Sequence, residues 1–182
     1  MTIKKDSTKK VPPRLVPPRD DYYMGLAFWV ASRSKDPNTQ VGAIIVSHDN
    51  VPLASGYNGP PRSVADALID WSRPVKYDWV IHAESNAIKH VQSKDCLKQA
   101  MVYVTALPCK SCMLEMAAVG IKRIVYFSAK KLDETSSLSD ITGRDKTFEI
   151  ARSSLVTLDE FRGNLNWMRD RINWMESIGV FD

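Results

Sequence analysis

Three short runs rich in β-branched and aromatic residues, QVGAIIVS (40–47), MVYVTAL (101–107) and IKRIVYFS (121–128), constrain the fold of this chain most. Nearly continuous apolar character over such lengths marks strands buried on both faces. DYYMGLAFWVASRS (21–34) has helical spacing instead, with Tyr23, Leu26, Ala27, Val30 and Ala31 on one face. VPLASGY (51–57) reads as a second strand, paired with the first across the turn HDN, which holds His48. NGPPRS then breaks regular structure, and a polar loop with Trp71 and Trp79 leads into a helix that opens near His82.

PCKSCMLEMAAVG (108–120) follows the 101–107 strand as a helix, with Pro108 near its start and Gly120 in position to end it. DKTFEIARSS (145–154) is predicted as a helix, LVTL (155–158) as a short strand and residues 159–179 as a closing helix. In that last segment Leu165, Met168, Ile172 and Met175 form one stripe, expected to pack on the sheet. Trp167 and Trp174 fall on another face, suited to an oligomer interface. Strands separated by helices need crossovers, so the pattern predicts an α/β layered domain. Neither an internal repeat nor a second-domain boundary is visible.

The 182 residues are 44% hydrophobic and 25% charged, ordinary for one globular domain. No apolar run approaches the ~20 residues that span a bilayer, and MTIKKDSTKK has no apolar signal-like core. Three cysteines (Cys96, Cys109, Cys112) make no disulfide framework and fit a reducing, cytoplasmic setting. The net charge of +4 is local: residues 1–20 hold six of the 25 Lys/Arg and two of the 21 Asp/Glu, leaving 19 of each in 21–182. Residues 1–20 are therefore expected to be a flexible, basic, Pro-rich tail on a neutral body, which argues against a nucleic-acid partner.

The chemistry lies in two short patterns. His82 and Glu84 stand two apart at a helix start, which alone is as well read as a solvated first turn. Cys109 and Cys112 have the C-x-x-C spacing that lets two thiolates grip one metal ion, at a second helix start whose dipole favours thiolate. Strands running into both helices, side by side, would gather His82, Cys109 and Cys112. Three His/Cys ligands with a fourth position open describe a catalytic zinc. A redox C-x-x-C competes for Cys109 and Cys112 but leaves His82 and Glu84 unused. Cys96 is expected in the core, His48 in its turn and His90 partly exposed. Together H-x-E and P-C-x-x-C match the zinc nucleobase deaminase pattern, in which the Glu is not a ligand.

Longer stretches carry a closer likeness. RSKDPNTQVGAIIV, GYNGPP, HAESNAI and YVTALPCKSCMLEMAAVGIKRIVYF resemble the deoxycytidylate (dCMP) deaminase family within the zinc-dependent cytidine/deoxycytidylate deaminase superfamily. The likeness runs over residues 21–158, leaving 159–182 as a C-terminal helix on the domain or at an interface. It implies a three-layer α/β/α fold with a mixed, roughly five-stranded sheet. It also implies hydrolysis of dCMP to dUMP and ammonia, supplying dUMP for dTMP synthesis, with one Zn2+ per chain and Glu84 as proton shuttle. Asn58 and the Ala83 N–H would hold sugar and base, Arg33 and Lys35 the 5′-phosphate, and Tyr126 would line the pocket. Tyr57 and Gly59 would border a regulatory nucleotide, dCTP as activator or dTTP as inhibitor, with Mg2+, in a hexamer. Some viral relatives carry a second zinc in an insertion before the His82 helix, but residues 60–81 here contain no Cys or His. Two alternatives stay open: action on dCTP as well, and a polynucleotide cytidine or tRNA adenosine deaminase that uses the basic tail.

Overall fold

The computed structural model describes residues 14–128 and 138–181, so the expectation for the first 13 residues of the tail lies outside it. Five strands form one mixed sheet in the order β2-β1-β3-β4-β5. The buried run Gly42–Val46 is β1, antiparallel both to β2 (Pro52–Tyr57) and to β3 (Met101–Val104). From β3 the sheet continues in parallel through β4 (Arg123–Tyr126) to β5 (Thr157–Glu160). His48 lies in the β1–β2 turn, as expected.

Alternation along the strands divides the core in two. Ala43, Ile45, Val102, Val104 and Ile124 face α2 (Ala83–His90), α3 (Lys110–Ala118) and α4 (Leu138–Ser153). Ile44, Val46, Tyr103 and Val125 face α1 (Arg19–Ala31) on the opposite side. That is the three-layer α/β/α arrangement. Met24, fully buried on α1, belongs to the second cluster although the expected apolar face omitted it. Gly120 ends α3 with φ +87°, a left-handed conformation that glycine adopts without steric cost.

The structure corrects five local expectations. The helix expected over 145–154 begins at Leu138. Leu155 is no strand residue: it is exposed at φ +55° in the turn before β5. Residues 159–160 belong to β5, because Asp159 accepts a 2.8 Å hydrogen bond from Arg123 Nε on β4 and the two strands pair there. The closing helix, α5, therefore spans only Asn166–Ser177. It packs on α1 rather than on the sheet: a Cβ at Gly25 would lie 2.5 Å from the Trp167 ring, and Trp167 Nε1 donates to the Asp21 carbonyl at 3.2 Å. Finally, Cys96 is exposed; its short turn buries Leu97 instead.

Candidate active site

His82 and Cys109 occupy the same structural position, the residue that caps the N-terminus of a helix. Both have extended backbones, with ψ of 155° and 166°, and neither side chain bonds its own helix as a capping residue ordinarily does. Their ligand atoms turn toward each other instead. The neighbouring strands β1 and β3 make this possible, since α2 lies over β1 and β2 while α3 follows β3 on the same face. No strand leads into His82, contrary to expectation; a single bridge between Ile81 and Gly59 fixes the approach.

His82 Nδ1 lies 3.5 Å from Cys109 Sγ and 3.3 Å from Cys112 Sγ, and all three ligand atoms fall within 4.8 Å of one another. Tetrahedral zinc, with Zn–N of about 2.0 Å and Zn–S of about 2.3 Å, sets such atoms roughly 3.5 Å apart. The donor set and its spacing therefore fit that ion. Cys109 is held down to about 3 by its hydrogen bond with Cys112, while Cys112, at the other end of that bond, is pushed up. His82 is raised, chiefly by its hydrogen bond with Cys109. One sulfur is thus a ready thiolate at a helix N-terminus, where the dipole favours the anion. The redox alternative for the cysteine pair leaves the imidazole at its side without a role.

Glu84, one residue into α2, is 4% exposed and lines the cavity that His82 and Cys109 border. It stands outside the three-residue ligand group. Burial raises its carboxyl above the ordinary value. Ala83 is fully buried at the same wall, and as the first residue of α2 its N–H has no intrahelical acceptor. The cavity, about 180 Å³, is small beside ordinary ligand pockets of roughly 300–1,000 Å³.

Asn58 lines this cavity too, but its amide works for the protein. Its Oδ1 accepts from the Val41 N–H at 2.8 Å, and its Nδ2 donates to the Thr39 carbonyl at 2.9 Å and to Asp36 Oδ2 at 3.5 Å. Lys76 closes the wall with a 2.5 Å contact from Nζ to Asp36 Oδ2, and both side chains are almost fully buried. Arg73 lines the cavity from the exposed side, its Nη2 donating to Thr39 Oγ1 at 3.1 Å. Lys76 and Arg73 escaped the sequence reading, since nothing periodic marks the loop that carries them.

Three expected site residues lie elsewhere. Lys35 lines a second cavity, of about 260 Å³, together with Tyr57, Gly59, Asn86 and His90. Arg33 is exposed in the turn after α1 and borders neither cavity. The chain turns at buried Asp36, whose Oδ1 accepts the Asn38 and Thr39 N–H groups, and neither cation lines the cavity that His82 borders. Tyr126 packs into the sheet core beside α3 and α4 rather than lining the pocket. His90 is exposed, and its Nδ1 lies 2.8 Å from the Ser55 carbonyl.

Residues 17–128 match the cytidine and deoxycytidylate deaminase zinc-binding region. Human deoxycytidylate deaminase is 41% identical over 119 residues, covering 62% of this chain and 66% of the human protein. The deoxycytidylate deaminase of Pongo abelii is 37% identical over 150 residues, covering 76% of this chain and 84% of that one. Among solved structures, the dCMP deaminase of cyanophage S-TIM5 in complex with dCMP and dUMP shares the fold. It has a TM-score of 0.61 and 22% identity, and the likeness covers 81% of this chain and all of that one.

Proposed function

The chain belongs to the cytidine and deoxycytidylate deaminase zinc-binding family, and on that premise we propose that it hydrolyses dCMP to dUMP and ammonia. The observation that carries this reading is the convergence of His82, Cys109 and Cys112 at 3.3–3.5 Å beside the buried carboxylate of Glu84. The relatives' shared name supports the substrate.

His82, Cys109 and Cys112 would hold one Zn2+ per chain, and the ion would supply the Lewis acidity that makes water a nucleophile at neutral pH by bringing its pKa toward ~7. Glu84 takes the proton of the attacking water and passes it to N3 of the cytosine. It then moves the remaining hydroxyl proton from the oxygen at C4 to the exocyclic nitrogen, which leaves as ammonia while C4 keeps the oxygen as a carbonyl. Its burial suits this work, since a carboxylate shielded from bulk water keeps the proton for the base. The Ala83 N–H, free at the helix start, holds the pyrimidine carbonyl. Asn58 shapes the wall and presents its remaining lone pair to the sugar.

The finer reading adds a regulatory nucleotide at the second cavity, where Tyr57, Gly59 and Lys35 meet. There dCTP activates and dTTP inhibits, with Mg2+, in a cytoplasmic hexamer that supplies dUMP for dTMP synthesis. No helix among the described residues is long and apolar enough to cross a membrane.

Ammonia release from dCMP, dCTP, deoxycytidine, single-stranded DNA and tRNA under one condition tests the reading. Turnover of dCMP well above the others is expected, and turnover confined to a polynucleotide overturns it. Titrating dCTP and dTTP into the dCMP assay tests the regulation.

A further inference from the structure

A mononucleotide differs from its nucleoside by a dianion, so a pocket that selects the nucleotide needs a cation placed for that end. Residues 60–81 supply both cations that line the cavity, Arg73 and Lys76, and the two are not equivalent. Lys76 is nearly fully buried, and Asp36 Oδ2 neutralises it at 2.5 Å. That carboxylate also receives the backbone N–H groups of Asn38 and Thr39 through Oδ1, at 2.9 and 3.1 Å. The pair is a closed unit that fixes the segment to the body, with no net charge to offer a ligand.

Arg73 is different on each count. It is exposed, and its one hydrogen bond among the described residues goes to a neutral hydroxyl, Thr39 Oγ1. No carboxylate among the described residues pairs with it. A guanidinium carries five N–H donors in a planar fork, so most remain available. Thr39 is itself anchored beside Asn58 and Asp36. The fork is therefore steadied at the cavity mouth, while His82, Cys109 and Glu84 hold the reacting end. The cations that sequence adjacency suggested, Arg33 and Lys35, border other surfaces.

We propose that Arg73 binds the 5′-phosphate of the pyrimidine nucleotide and makes the pocket prefer nucleotide to nucleoside, with Thr39 as the residue that positions its fork. This inference rests on the reading of the site as a dCMP deaminase. Arg is suited to the task because its fork engages two phosphate oxygens at once, which a lysine cannot do.

The experiment measures kcat and KM for dCMP and kcat/KM for deoxycytidine in the wild type, R73Q, R73K and T39V. Inhibition by 2-deoxyribose 5-phosphate is read alongside, and zinc content and circular dichroism check integrity. Loss of a charge-assisted bidentate contact is expected to raise KM for dCMP by roughly 30- to 100-fold in R73Q, with kcat changed far less. The preference for dCMP over deoxycytidine falls by the same factor, and the sugar phosphate stops inhibiting. R73K recovers part of the loss, and T39V shows a smaller rise in KM. A wild type that deaminates dCMP, beside an R73Q with unchanged preference, overturns the role of Arg73 alone. A wild type inactive on dCMP removes the underlying reading and this proposal with it.

Discussion

Gly56 on β2 lies where the sheet meets α2, and a methyl group there has no room. A Cβ would sit 2.3 Å from the Ala83 carbonyl oxygen, 2.3 Å from the Ala87 nitrogen and 2.9 Å from the Ala87 Cα. These are backbone atoms, so no side chain can swing aside. Restoring an ordinary contact near 3.4 Å requires the helix to lift by about 1 Å. Ala83 lies between His82 and Glu84, so that lift moves the proposed zinc ligand and the proposed proton shuttle together. Gly56→Ala is expected to cost about 1–3 kcal/mol as overpacking, which lowers Tm by roughly 2–12 °C in a domain of this size. Misplacement by ~1 Å is expected to cost about 10²-fold in turnover. Gly42→Ala is the matched control: its Cβ would meet the Ala27 oxygen at 2.1 Å and the Ala31 nitrogen at 2.4 Å, on the α1 side of the sheet. The two variants should melt comparably, and only Gly56→Ala should lose most of its dCMP deamination and weaken its zinc. Melting curves, metal analysis and ammonia release read all three. A Gly56→Ala enzyme with kcat within threefold of wild type, or a Gly42→Ala enzyme equally impaired, refutes the reasoning.

Glu84→Gln should keep about one zinc per chain while turnover falls by roughly 10²–10⁴, whereas Cys109→Ala should lose the metal itself; metal loss from Glu84→Gln would make Glu84 a ligand. Asp20 accepts two bonds from Arg123, at 2.9 and 2.8 Å, and one from the buried Tyr103 hydroxyl at 2.7 Å. Asp20→Ala strands that hydroxyl and should cost about 1–3 kcal/mol. The Arg123 bond holds the Asp20 carboxyl below its ordinary value, so its contribution is complete above the unfolded pKa of ~3.9 and is lost as pH falls further. The stability gap between wild type and Asp20→Ala should therefore narrow in urea titrations as pH falls below ~3.9, and a gap that stays constant over that descent would contradict the linkage. Trp174 is 46% exposed with Arg171 stacked 3.7 Å over its ring, on a helix that buries no residue. Trp174→Glu should lower the mass seen by light scattering with zinc retained; an unchanged mass would assign that face to solvent.

The candidate metal ligands were legible because two helix starts and a C-x-x-C spacing are local patterns, and local patterns survive folding. β1, β3 and β4 were legible for the same reason, since each is a β-branched run buried on both faces. What depends on which way a loop turns was not. Arg33 and Lys35 sit beside Asp36 in the chain, yet Asp36 turns inward to a lysine 40 positions away while they stay on other surfaces. The start of the C-terminal helix was misread because Asp159 suits a helix until Arg123 draws it into the sheet. Tertiary pairing overrode a weak local preference there. Cys96 shows the same limit in miniature: a small apolar residue lies outside while its neighbour Leu97 is fully buried.

The strand order also bears on how copies of this chain can and cannot associate. Among the described residues β2 and β5 pair on one side only, which leaves two rows of backbone donors and acceptors. Such margins recruit strands from other molecules unless something blunts them. β2 opens with Pro52, which has no N–H to donate, and the register slips beside it between Ile45 and Val46. β5 is only four residues long and ends in the charged residues Asp159 and Glu160, the kind of short, charged edge that deters a further strand. Runaway sheet extension is thereby discouraged from both directions. A chain whose interior strands are as apolar as GAIIV and RIVY can then stay dispersed when thermal motion loosens it, leaving helices and loops as the surfaces through which orderly assembly proceeds.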